Sequence, residues 1–113
     1  MTHVLRSADR TTSNGRGTFS FEGRAFGVEI SFFAIDNAPR QGPVLHVHPY
    51  AETWIVKAGQ AEVEAGDQSY IVGRNDIVVV PPNTPHKFVN LGPDRLEMVC
   101  IHANGVIVQD DLE

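Results

Sequence analysis

The sequence predicts an all-β domain, a jelly-roll barrel of two sheets. Three observations carry this. Turn residues are dense, with 10 Gly and 7 Pro in 113 residues. Between them lie short runs rich in Val, Ile, Phe and Thr, the mark of many short strands. No window of a dozen residues keeps a 3.6-residue apolar period without Gly or Pro breaking it, so helix is minor or absent. About ten strands at such close spacing make a sandwich or a barrel, and a double-sheet jelly roll hides most of its edges.

Residues 1–17 are polar and end in Ser13-Asn14-Gly15-Arg16-Gly17, so they read as an N-terminal arm or loop. One barrel domain is expected over 18–109. Its strands are expected at 18–22, 26–35, 43–48, 52–57, 61–65, 68–72, 77–80, 86–90, 95–102 and 105–109. The connectors carry turn chemistry, among them Ala58-Gly59, Gly73-Arg74-Asn75-Asp76 and Pro81-Pro82-Asn83-Thr84-Pro85. Residues 110–113 form an acidic tail that is expected to fray.

Hydrophobic residues are 42% and charged residues 20%, the balance of a folded domain rather than a disordered chain. Nine Lys and Arg against 14 Asp and Glu give a net charge of −5. Such a chain has no electrostatic footprint for nucleic acid or an anionic membrane. The N-terminus lacks the apolar core of a signal peptide, and no stretch approaches a membrane-spanning length. The expected location is cytoplasmic. Cys100 stands alone, so it makes no internal disulfide; it reads as a buried small hydrophobe.

Three of the five histidines fall between 46 and 86. His46 and His48 lie two apart in a strand-like run, so both imidazoles face the same way, about 6.6 Å apart along the chain. Pro49-Tyr50-Ala51 then turns the chain, and Glu52 can fold back beside them. His86 follows the proline-rich turn and can arrive from a neighbouring strand. Three imidazoles and a carboxylate suit one divalent transition-metal ion, Fe, Mn, Co, Ni, Cu or Zn, better than Ca or Mg. Four protein ligands leave an octahedral ion two open positions for chemistry.

These residues resemble the cupin superfamily. Its first motif runs G-x5-H-x-H-x3,4-E-x6-G, and here His46-Val47-His48, Glu52 and Gly59 keep that spacing. Its second runs G-x5-P-x-G-x2-H-x3-N, matched in spacing by Asn75, Pro81, Asn83, His86 and Asn90. The first family glycine falls on Arg40, with the nearest glycine at Gly42, so nothing is carried over there. Both glycines of the second motif are Asn, the non-glycine residue that best tolerates positive φ, so the backbone demand is expected to persist. The resemblance implies a small single-domain cupin, a double-stranded β-helix barrel, with His46, His48, Glu52 and His86 as metal ligands. It also implies a homodimer. Outward apolar residues at Val47, Thr53, Ile55, Val89, Val99 and Ile101 agree with a covered sheet, and the phenylalanine-rich segment 19–33 is a candidate for sheet-to-sheet packing.

Strand parity points Trp54, Phe88, Asn90, Met98 and His102 inward. Trp54, Phe88 and Met98 are expected to wall a pocket, with Asn90 as a polar group in it, Tyr50 placed to lean over the metal, and His102 as the candidate catalytic acid or base. The function expected is that of a metal-dependent enzyme acting on a small organic molecule, with dioxygenase chemistry the family-level lean. One alternative is a non-catalytic module binding a small molecule or metal. Another is an isomerase or epimerase on a sugar-like substrate, against whose phosphorylated form the inward faces show no cluster of Arg or Lys.

Overall fold

A computed structural model describes residues 1–7 and 17–113. Most of the Ser13–Gly17 loop therefore lies outside the described residues. Ten strands follow: β1 (Phe19–Glu22), β2 (Ser31–Asn37), β3 (His46–Val47), β4 (Glu52–Ala58), β5 (Gln60–Ala65), β6 (Gln68–Gly73), β7 (Ile77–Val80), β8 (His86–Asn90), β9 (Leu96–His102) and β10 (Asp110–Asp111). They form two antiparallel five-stranded sheets, ordered β1-β2-β9-β4-β7 and β10-β3-β8-β5-β6. The two sheets make the expected jelly roll.

The inward faces follow the alternation of the sequence. β4 buries Glu52, Trp54 and Val56; β8 buries His86, Phe88 and Asn90; β9 buries Leu96, Met98, Cys100 and His102. Trp54, Val56, Ala61, Val63, Val80, Phe88, Leu96, Met98 and Cys100 make one apolar core. Gly59 takes φ 84° between β4 and β5, where a side chain would also strike the Arg95 carbonyl.

Several boundaries differ from the expectation. The strand expected at 26–35 is delayed because Gly23–Phe26 closes a 3-10 turn, capped by left-handed Gly27. The strand proper is Ser31–Asn37. The strand expected at 43–48 shrinks to His46–Val47. Residues 105–109 are a strap rather than a strand, because side chains claim their backbone groups. Glu22 accepts the Ile107 N–H at 2.8 Å, and the Tyr50 hydroxyl accepts the Val108 N–H at 3.0 Å. The acidic tail does not hang free: Asp110 and Asp111 pair with Val47 and His46. The Leu112 N–H donates to the Leu45 carbonyl, and the Glu113 carboxylate accepts the Leu45 N–H, both at 2.8 Å.

The aromatic segment divides. Phe21 stacks between Phe26 and Phe32, with centroids 5.6 and 5.2 Å away, while Phe33 turns inward to meet His102 edge-on at 5.4 Å. The outer face of β7 leaves Ile77 and Val79 65% and 64% exposed. Among the described residues no helix is long and apolar enough to cross a membrane.

Candidate metal centre

Register builds the site from two cross-strand pairs. His46 faces His86 across β3 and β8, and Glu52 faces His102 across β4 and β9. The first pair belongs to one sheet and the second to the other, so closing the barrel brings them together. His48, just past β3, joins them. The turn before β8 is stapled to this strand, since the Asn83 N–H donates to the His48 carbonyl at 2.8 Å. That turn holds Asn83 at φ 60°, and the turn before β7 holds Asn75 at φ 72°. Both asparagines thus adopt the left-handed backbone that glycine gives the family motif.

One ligand atom from each of His46, His48, Glu52 and His86 falls within 4.8 Å of every other, and all four residues are buried. Ligands held about 2.1 Å from one ion stand at most about 4.2 Å apart. The cluster is therefore within roughly half an ångström of a single coordination shell.

Three main-chain carbonyls set the imidazoles. His46 Nδ1 donates to Val44, His48 Nδ1 to Val108 and His86 Nδ1 to Thr84, each at 2.7 Å. With the proton committed to Nδ1, Nε2 of a neutral ring carries a lone pair, the form that binds a metal. Yet His86 Nε2 and His48 Nε2 stand 3.0 and 3.1 Å from Glu52 Oε1. Lone pairs at such distances require a positive charge between them, either a shared proton or a metal ion. His48 Nε2 also lies off the line of a hydrogen bond, so it is a buried nitrogen without a hydrogen-bond partner. The donor set and this orphaned nitrogen fit a first-row divalent ion.

Burial pushes the Glu52 carboxyl upward, but the close imidazoles of His102, His48 and His86 outweigh it and hold the group far below the ordinary carboxylate range. Burial holds His46 below the usual imidazole value. His48 is also penalised by burial, yet Glu52 and the Val108 carbonyl raise it above that value.

His102 lies beside the four. Its Nε2 is 3.2 Å from Glu52 Oε2, again off a hydrogen-bond line. Its Nδ1 meets the Tyr50 hydroxyl at 2.6 Å rather than a carbonyl. A hydroxyl both donates and accepts, so this partner fixes no tautomer.

A cavity of about 490 Å³ opens onto the cluster, lined in part by His46, Glu52, His102, Phe33, Ile35 and Phe88. Of the residues expected to wall it, Phe88 does. Trp54 and Met98 face inward but sit in the apolar core, further along their strands. Asn90 is spent as a loop clamp: its amide donates to the Asn37 and Asp94 carbonyls at 3.0 and 2.9 Å and accepts the Gly92 N–H at 2.7 Å. Tyr50 lies behind the site, stacked on His48 and tied to His102 and Val108. Sequence reasoning missed Phe33, Ile35, Arg40 and Gln41, which line the cavity, and placed Cys100 in the core without its share of the cavity wall. Alternation along β2 could have found Phe33 and Ile35, but the Phe32-Phe33 doublet hides which ring points in.

A family model described as Cupin domain matches residues 35–102. Mannose-1-phosphate guanylyltransferase RfbM of Salmonella typhimurium is 38% identical over 65 residues, 58% of this chain and 14% of that protein. Alginate biosynthesis protein AlgA of Pseudomonas aeruginosa is 30% identical over 66 residues, again 58% and 14%. The chain thus aligns with about one-seventh of the length of these curated relatives. Among solved structures, an oxalate decarboxylase of Bacillus subtilis superposes with a TM-score of 0.84 at 17% identity, over 96% of this chain and 31% of that one. An oxalate decarboxylase of Lactobacillus farciminis gives 0.75 at 22%, over 84% and 30%. With the family model covering more than half of its length and the ligand cluster assembled where two sheets meet, the chain belongs to the cupin domain family.

Proposed function

We propose that this cupin is a metal-dependent enzyme acting on a small organic molecule, with dioxygen-dependent oxidation as the reaction. The observation that supports it is the carbonyl-oriented imidazole set around Glu52 at the wall of a cavity that also presents Phe33, Ile35 and Phe88. A bound divalent ion would supply Lewis acidity and open positions for substrate and dioxygen. His46, His48, Glu52 and His86 hold the ion. Phe33, Ile35 and Phe88 pack the substrate's apolar body and exclude water. His102 lines the cavity and contacts Glu52, so it serves as the group that takes or returns a proton, with the Tyr50 hydroxyl behind its Nδ1.

The test is dioxygen uptake by the iron-loaded protein against a panel of phenols, thiols and diketones. Uptake with one compound class, lost in His102→Gln while the metal stays, supports the reading. No uptake with any class removes the oxygenase assignment. Manganese belongs in the same assay, because the Bacillus subtilis decarboxylase neighbour is described with Mn(II) centres. The guanylyltransferase relatives support a second reading, a module that binds a sugar-derived ligand without changing it; binding with the ligand recovered intact would favour it. The exposed Ile77 and Val79 support pairing with a second copy, which sedimentation equilibrium reads directly.

A further inference from the structure

Arg40 holds a backbone conformation that costs it energy. Its φ is 71°, in the left-handed region that non-glycine residues avoid, at the position where the family motif carries glycine. The surrounding chain enforces this. The Arg40 N–H donates to the Asn90 carbonyl at 2.8 Å, and the Asn90 N–H donates to the Gln41 carbonyl at 2.9 Å. Two residues on, Gly42 passes so close to Phe88 that a side chain would meet its carbonyl oxygen. The loop is therefore pinned to β8 with its arginine at the cavity.

No described residue of the fold uses that side chain. Arg40 is exposed and, among the described residues, makes no ion pair and no side-chain hydrogen bond. Among the described residues it is the one Lys or Arg lining the 490 Å³ cavity. On its other side it borders a groove with Glu62, Glu64 and Lys87, yet pairs with neither carboxylate. Strain kept at an unpartnered cation beside a binding cavity is what an anion site needs.

We infer that Arg40 is the specificity residue of the cavity and takes the carboxylate or phosphate group of an anionic ligand whose apolar body packs against Phe33, Ile35 and Phe88. This rests on the metal-site reading only in that the other end of the same ligand faces the cluster. The planar guanidinium offers paired N–H donors that match either anion.

The test uses the metal-loaded full chain and NMR of the Arg40 Nε–H, assigned by its loss in Arg40→Gly. Phenylacetate, phenyl phosphate and neutral phenylacetamide are titrated in at millimolar concentrations. The Arg40 resonance is expected to shift saturably with at least one anion and not with the amide. The anion giving the larger affinity distinguishes carboxylate from phosphate. Glycine accepts φ 71° without strain, so Arg40→Gly folds, with Tm unchanged or raised. It is expected to keep its metal and lose anion affinity by about tenfold or more. No shift with either anion, equal affinity for the amide, or undiminished anion affinity in Arg40→Gly overturns the inference. Metal content below one ion per chain with the Arg40 response intact would instead count against the metal-site reading alone.

Discussion

The barrel interior has two ends built from the same strands. β4 runs from Glu52 through Trp54 to Val56, and β9 ends at His102 after Leu96, Met98 and Cys100. Each strand points these residues to one side, yet one end is a cluster of imidazoles and a carboxylate and the other a dry core. The difference lies in depth along the strand, not in facing. At the apolar end a side chain is held by contact with its neighbours. At the polar end His46, His48 and His86 are each aimed by a carbonyl behind the ring. Substitutions at the two ends should therefore fail in different ways.

The largest effect is expected at the polar end. Glu52→Gln removes the anion against which His48, His86 and His102 are set, and should weaken metal binding by about a hundredfold or more. Its circular dichroism should stay that of a β-barrel. Metal competition with a chelator of known affinity measures the loss; a tenfold effect or less would place the carboxylate outside the ligand set.

At the apolar end, Trp54→Ala should cost about 3–5 kcal/mol of stability by loss of packing. Urea unfolding reads this, and the folded protein should still bind one ion. A loss of metal without a loss of stability would merge the two ends.

Acid separates them further. Glu52 is held far below its ordinary value in the fold, so in the metal-free protein the unfolded chain takes up a proton that the folded one refuses. Stability is then fully present above the unfolded value of about 4.3 and is lost as pH falls below it. Thermal melts of metal-free wild type and Glu52→Gln should differ in this limb, with the variant flatter. Parallel curves would contradict the assignment.

The smallest effect is expected behind the site. Tyr50→Phe removes a hydroxyl shared by His102 and the Val108 N–H, and should cost about 1 kcal/mol. Metal affinity should change less than tenfold.

The same contrast explains what was legible in the sequence. Motif spacing and strand alternation placed the fold, the inward faces and the four-residue cluster, because these depend on local periodicity and on turn residues. The two turns with Asn75 and Asn83 were readable for the same reason: a positive φ leaves its trace in residue choice. Depth was not readable. Trp54 and Met98 share parity with Glu52 and His102, and only the closure of two sheets shows which end is hollow. Arg40 was hidden because arginine is an unfamiliar occupant of left-handed backbone. The tail was misread because Asp110 and Asp111 look like solvated charge, whereas main-chain pairing with β3 holds them.

The most direct test of the account is the metal content of the purified protein, measured by elemental analysis beside the His46→Ala/His48→Ala double variant. Close to one first-row transition-metal ion per chain is expected in the wild type and almost none in a folded double variant. A folded double variant that keeps its full complement of metal, or a wild type that takes up none when such metals are supplied, would contradict it.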